Sequence, residues 1–210
     1  MCSSDLKIYP LCGPYNITHK KETCDCFDLS CENHCTQVEY LESNGQQYIN
    51  TGISDIATNG IIELKSFTPN LYTRFAGCGG LQLATPNDRY TNVPYCYGSW
   101  LDNTLSNIDI RNNVYTLKYI FKNADQKLYI DGTLKKSSAK GTPGNCELRL
   151  SASDSGHRAM NRIYWAKLYK GDTLVRDFIP VRDSFNVPAM YDQVSGKLFY
   201  NKGSGEFTTP

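Results

Sequence analysis

From Val38 to the C-terminus the chain is written as short β-prone runs, punctuated by Gly, Asn, Asp, Pro and Ser. The runs have a period of two, which demands strands with a covered and an uncovered face and leaves no room for amphipathic helices. In the run from Ile61 to Phe67, Ile62, Leu64 and Ser66 fall on one face and Ile61, Glu63, Lys65 and Phe67 on the other, as expected of a strand covered mainly on one side. Val114 to Phe121 groups Tyr115, Leu117, Tyr119 and Phe121. Leu128 to Ile130 leads into Asp131-Gly132, a dipeptide that tolerates the positive φ of a type I′ turn and so predicts a tight hairpin. Cys146 to Ala152, Arg162 to Tyr169, Leu174 to Val181 and Lys197 to Tyr200 are further candidate strands. Pro180, with no N–H to give a ladder, is expected at an edge or a bulge. So many strands at short spacing predict an all-β, two-sheet antiparallel sandwich.

At 210 residues the chain has enough material for one sizeable core and an appendage. Its 22 basic and 21 acidic residues give a net charge of +1 with no long basic run, which argues against nucleic acid as a partner. No stretch approaches the roughly 18 continuous apolar residues of a membrane helix, so membrane insertion is not expected.

The segment before Val38 has a different character. Cys12, Cys24, Cys26, Cys31 and Cys35 crowd it together with His19 and His34, and few apolar residues accompany them. The expected division is therefore a cysteine-rich N-terminal remnant over 1–37 and a β-sandwich over 38–210. Within the remnant, residues 1–6 (MCSSDL) read as a sequencing artefact, the translated end of an adapter. Without Cys2 the 9 cysteines become 8, the even number that disulfides require. A segment too poor in apolar surface to order itself needs cross-links, and disulfides are the first reading. Zinc is one alternative, although the paired C-x2-C knuckles of strong zinc signatures are missing, and unpaired leftovers of a truncated domain are the other. Asn16-Ile17-Thr18 matches a glycosylation sequon, a pattern short enough to arise by chance.

Three stretches carry a resemblance. The run NVYTLKYIFKNADQKLYIDGTLKK, ending at Lys136, resembles the paired strands of laminin-G-like domains in the concanavalin A-like jelly-roll superfamily. The opening VEYLESNGQQYINTGI (38–53) and the closing RIYWAKLYKGDTLVRDFIPVRD (162–183) with MYDQVSGKLFYNKGSGEF (190–207) resemble a narrower set. These are the laminin-G-like modules that recur in surface proteins and in phage or prophage tail proteins of gut bacteria. The resemblance implies a jelly-roll sandwich over everything after the cysteine segment. It implies little about function, because the fold carries lectins, adhesins, glycoside hydrolases and spacers alike.

Catalytic constellations are scarce. Glycoside hydrolysis needs two carboxylates flanking one bond, whereas the candidate strands hold isolated acids such as Glu63, Asp109 and Glu147. Asp154-Ser155-Gly156-His157 gathers a carboxylate, a hydroxyl and an imidazole, but triads are assembled by long-range packing, so a polar hairpin loop is the plainer reading. Arg176, Asp177, Arg182 and Asp183 read as mutually neutralising rim pairs. Gly52 and Gly132 are expected where a Cβ would obstruct the backbone, and Ile163, Trp165 and Leu168 in the core. No catalytic residue is assigned.

The stretch from Asn87 to Asn103 is dense in aromatics and amides. Tyr90, Tyr95, Tyr97 and Trp100 can offer rings to the C–H face of a sugar, and Asp102 and Asn103 can meet its hydroxyls. These six are the candidate ligand-binding residues. Calcium at a loop rim, through Asp88 or Asp102, lacks an ordered oxygen-ligand spacing, and no cofactor is assigned. The reading that follows is a non-catalytic adhesion module, part of a larger polypeptide and extracellular, at a cell surface or on a virion. Its partner would be a cell-surface or dietary glycan, or a host receptor. The alternatives are a structural spacer and a glycoside hydrolase-like enzyme.

Overall fold

A computed structural model of the chain describes residues 35–69, 74–78, 81–84, 95–96, 99–100, 110–139, 146–153 and 159–210. Its strands are β1 (Thr36–Gln37), β2 (Leu41–Asn44), β3 (Ile49–Ser54), β4 (Gly60–Phe67), β5 (Arg74–Cys78) and β6 (Leu81–Ala84). Two short strands follow, β7 (Tyr95–Cys96) and β8 (Ser99–Trp100), and then β9 (Val114–Lys122), β10 (Asp125–Ile130), β11 (Thr133–Ala139) and β12 (Glu147–Leu150). The last four are β13 (Met160–Lys170), β14 (Thr173–Arg182), β15 (Pro188–Asp192) and β16 (Lys197–Tyr200). One sheet runs β11-β10-β9-β4-β13-β14-β15-β16, with β1 on β14 and β2 on β13; the other runs β3-β12-β5-β6-β7-β8. Every pairing is antiparallel, and the fold is the two-sheet sandwich that the alternation predicts.

The period-two pattern is what builds the core. In β4, Ile62 and Leu64 are fully buried and Ser66 nearly so, while Ile61, Glu63, Lys65 and Phe67 stay half-exposed on the outer face. Strand β9 buries Leu117, Tyr119 and Phe121 in the same way. These meet Phe75, Leu81 and Leu83 of the facing sheet in one hydrophobic cluster. Each such side chain contributes about 1.5–3 kcal/mol of burial free energy. Of the three residues expected in the core, Ile163 and Leu168 are there; Trp165 is half-buried, and its register opposite Lys65 places it on the outer face. The cause is a bulge between Ile163 and Trp165, which inserts Tyr164 and shifts the alternation by one.

Strands β13 and β14 form a ladder only from Lys170↔Thr173 to Ala166↔Phe178. Beyond that they splay, and the segment 36–44 fills the wedge. Here β2 pairs with β13 (Leu41↔Ile163 to Asn44↔Met160) and β1 pairs with β14 (Gln37↔Val181, Thr36↔Arg182). Pro180 sits at this handover. Its carbonyl accepts from Val38 N at 3.0 Å, and the reciprocal bond, for which proline has no donor, would fall where the β1 ladder stops. The residue is therefore neither at a sheet edge nor at a bulge, but where one partner strand replaces another.

The Asp131-Gly132 hairpin has φ of 47° and 76° at its two central residues, as a type I′ turn requires. A Cβ on Gly132 would meet nothing within 4 Å, so its constraint is conformational and not, as expected, an obstruction. At Gly52, with φ of 70°, a Cβ would come within 3.4 Å of the Arg176 guanidinium. A disulfide joins Cys78, at the end of β5, to Cys146, just before β12, across neighbouring strands with Cα atoms 5.6 Å apart.

Candidate functional site

The six-stranded sheet ends in a small hairpin, and this is where two of the predicted ligand-binding residues lie. Strand β7 pairs with β6 through Gln82↔Tyr95 and Leu81↔Cys96, and β8 pairs with β7 through Tyr95↔Trp100 and Cys96↔Ser99. Tyr95 and Trp100 thus occupy directly opposed positions of the outermost ladder of that sheet. Tyr90, Tyr97, Asp102 and Asn103 lie outside the described residues, as do Asp88, Asp109, Asp154, Ser155 and His157. The cysteine and histidine set of residues 12–34 lies outside them too; Cys35 is buried in a small cluster with Val181, Ala189 and Tyr191.

Among the carboxylates that the sequence left isolated, Glu63 and Glu147 carry structural tasks. Glu63 pairs with Lys118 at 3.5 Å on the outer face. Glu147 accepts from Gly52 N at 2.9 Å and from Asn50 Nδ2 at 3.3 Å, which fastens β12 to β3. The alternating Arg and Asp residues of β14 do not neutralise one another, because strand alternation points them to different neighbours. Asp177 pairs with Lys167 at 3.3 Å; Arg176 reaches across to the other sheet, donating from Nε to the Thr51 carbonyl at 3.0 Å and approaching Asp192 at 3.6 Å. Arg182 donates to the Asn186 carbonyl at 2.7 Å and to Thr209 Oγ1 at 2.9 Å. Asp183 organises the β14–β15 turn, accepting from the backbone N–H groups of Phe185 at 2.9 Å and Val187 at 2.8 Å. Tyr200 donates its hydroxyl to the same carboxylate at 2.8 Å. Burial first, and that hydrogen bond second, push the Tyr200 pKa up to about 12.

The outer face of the ten-stranded sheet carries a second aromatic group. The bulge at Tyr164 brings its ring to 5.5 Å from that of Tyr40, edge on, with the Lys65 ammonium 5.4 Å away. The Arg162 guanidinium lies 4.7 Å from the Tyr40 ring centre and 5.0 Å from that of Phe67, with its Nε held by Glu42 at 3.1 Å. With cations already seated on them, these rings are engaged by the protein itself.

A small pocket opens beside this group, where β2 meets the start of β13. Asn161 lines it and is 2% exposed. Its Nδ2 donates to Ser66 Oγ at 3.2 Å, and Ser66 spends its only proton on the Arg162 carbonyl at 2.6 Å. The amide is thereby fixed with nitrogen toward Ser66, and Asn161 Oδ1 has no hydrogen-bond partner. An unsatisfied buried acceptor costs about 1–3 kcal/mol. Nothing in the sequence marks Asn161, which looks like any polar residue at the start of a strand.

No protein-family model matches the chain, and no curated protein matches it in sequence. Solved structures do. A candidate carbohydrate-binding protein from Bacteroides ovatus aligns over 83% of this chain with a TM-score of 0.57 at 11% identity. Domain 4 of AbnA, a GH43 extracellular arabinanase from Geobacillus stearothermophilus solved with arabinotriose, aligns over 66% of this chain and 75% of its own, with a TM-score of 0.51 at 15% identity. The chain spans 60% of the length of the Bacteroides protein. At such identities the likeness is one of fold, an all-β two-sheet sandwich.

Proposed function

We propose that the chain is a non-catalytic carbohydrate-binding module that serves adhesion. In this reading it belongs to a larger extracellular protein, a bacterial surface protein or a phage tail protein of the laminin-G-like type, and its folding unit is the sandwich over 38–210. The observation that carries the reading is the direct opposition of Tyr95 and Trp100 at the last ladder of the six-stranded sheet. Two aromatic positions at that spacing suit the broad C–H surface of a sugar, and Tyr90, Tyr97, Asp102 and Asn103 are assigned to the same role by residue type. Two similar folds belong to proteins whose descriptions concern carbohydrate. The Cys78–Cys146 disulfide supports an oxidising, extracellular setting.

The test is a glycan array with the whole chain, followed by Tyr97→Ala and Trp100→Ala. The expected result is binding to at least one neutral oligosaccharide, lost in both variants while their unfolding midpoints stay close to the parent's. A parent that binds no glycan overturns the function in favour of a spacer. Variants that fold and bind undiminished overturn the assignment of the edge.

A further inference from the structure

We infer that the outer face of the six-stranded sheet takes an acidic oligosaccharide, with Arg149 receiving a carboxylate or sulfate group of the same sugar chain that the Tyr95–Trp100 edge holds. The inference rests on the carbohydrate-binding reading and deepens it by naming the ligand class. Three observations carry it.

The first is register. The pairings run Asn50↔Arg149↔Gly77↔Gln82↔Tyr95↔Trp100, one row through all six strands. Residues directly opposed on antiparallel strands share a face. Leu148 and Leu150 beside Arg149, and Leu81 and Leu83 beside Gln82, belong to the core, so the row lies on the other, outer face. Gly77 is buried beside Ser153, and β5 adds no side chain to the row. Arg149 and Tyr95 stand three strand spacings apart, roughly 14 Å, a distance that a short oligosaccharide spans.

The second is an uncommitted guanidinium. Arg162, Arg176 and Arg182 each hold an oxygen acceptor. Arg149 holds none: its Nε is enclosed, and its two terminal nitrogens are neither enclosed nor hydrogen-bonded. That planar fork is left to meet two oxygens of an anionic group.

The third is the setting of the charge. The guanidinium lies 5.2 Å from the Tyr48 ring centre, so an aromatic ring holds it in place. Glu147, two positions along on the same face, is spent on Gly52 N and Asn50 Nδ2 and forms no ion pair with Arg149. A positioned cation with no counter-charge favours an anionic group over a hydroxyl, because hydrogen bonds between opposite charges are the stronger ones.

The experiment titrates the whole chain, by calorimetry, with two matched pairs of sugars. One pair is trigalacturonate and its methyl ester; the other is a sulfated galactan oligosaccharide and its desulfated counterpart. At least one acidic member is expected to bind about tenfold more tightly than its neutral partner. A preference confined to the first pair assigns the group as carboxylate, and one confined to the second as sulfate. Arg149→Gln should bring the members of the pair to equal affinity. Lys127→Gln, which removes the same charge from the other sheet, should leave the ratio as it is. Trp100→Ala should weaken the acidic and neutral members together. In the parent, the Arg149 Nε–H resonance should shift with the acidic member and stay still with the neutral one, a readout that requires no variant to fold. The subsite is overturned if neither acidic sugar outbinds its neutral partner, or if the Arg149 resonance stays still. It is overturned as well if Lys127→Gln abolishes the preference as fully as Arg149→Gln, or if Trp100→Ala leaves acidic binding undiminished. Neutral glycans that bind with no acidic preference leave the proposed function standing, whereas silence toward every neutral and acidic glycan removes both.

Discussion

Arg176 on β14 approaches Asp192 at 3.6 Å, and from the same position its Nε donates to the Thr51 carbonyl of the facing sheet at 3.0 Å. One side chain thereby ties the two layers together at their β3 and β15 side. Asp192 is fully buried and also accepts from Asp177 N at 2.8 Å and from Ser195 Oγ at 2.6 Å, so it anchors the β15–β16 turn as well. Replacing Asp192 by Ala strands a partly buried guanidinium and several donors, and should cost about 3 kcal/mol in urea unfolding. Asp172→Ala is the control. Its pair with Lys122 is exposed on both sides, 84% and 61%, and its loss should cost less than about 0.5 kcal/mol. Equal effects of the two would contradict the tie.

Reduction of the Cys78–Cys146 bond should lower stability by about 4 kcal/mol, from the unfolded-state freedom regained when a 68-residue loop opens. Urea titrations with and without dithiothreitol measure it directly. An unchanged midpoint would mean that the bond does not form in solution.

Alkaline pH should destabilise the fold through tyrosine. Tyr200 titrates at about 12 in the folded chain against about 10 when unfolded, so its hydroxyl stays protonated longer in the native state. The stabilisation is complete below pH 10 and declines as pH rises toward 12. Burial raises Tyr119 in the same direction. Tyr200→Phe should show a shallower loss of thermal stability between pH 10 and 12 than the parent. A profile identical to the parent's would remove Tyr200 from the account.

Gly132→Val should cost about 1–3 kcal/mol, all of it from forcing a β-branched residue to φ of 76°. Because no atom crowds the site, Gly132→Asn should fold almost as well as the parent. Equal damage from both residues, read from denaturation midpoints, would point to steric crowding instead.

A chain of residues 35–210 should unfold in one cooperative step, and one of 38–210 should do the same at a lower urea midpoint. The shorter chain loses the Thr36↔Arg182 and Gln37↔Val181 pairs and the burial of Cys35. A shorter chain with no cooperative transition would refute the boundary at 38.

The layers were legible because alternation is a local property. Ile62, Leu64, Leu117, Tyr119 and Phe121 could be assigned to the core from their spacing alone, and Asp131-Gly132 announced its own turn. What spacing cannot supply is a change of phase or of partner. The bulge at Tyr164 turned Trp165 outward, and the handover from β13 to β1 made room for Pro180 inside a sheet. The Asn161 acceptor was out of reach for a related reason. Its lack of a partner depends on Ser66 Oγ, 95 residues away, having already given its proton to Arg162.

The wedge between β13 and β14 also decides how the module answers a pull. Glu42 of β2 exchanges hydrogen bonds with Thr208, 2.8 Å in one direction and 3.0 Å in the other, so the strand that enters the sandwich also holds the segment that leaves it. Tension applied between residues 35 and 210 is taken first by this clasp and by the short β1 ladder. Leu41 and Phe207, the chain neighbours of this clasp, both lie in the core, so a pull that opens it draws on the apolar interior as well as on two hydrogen bonds.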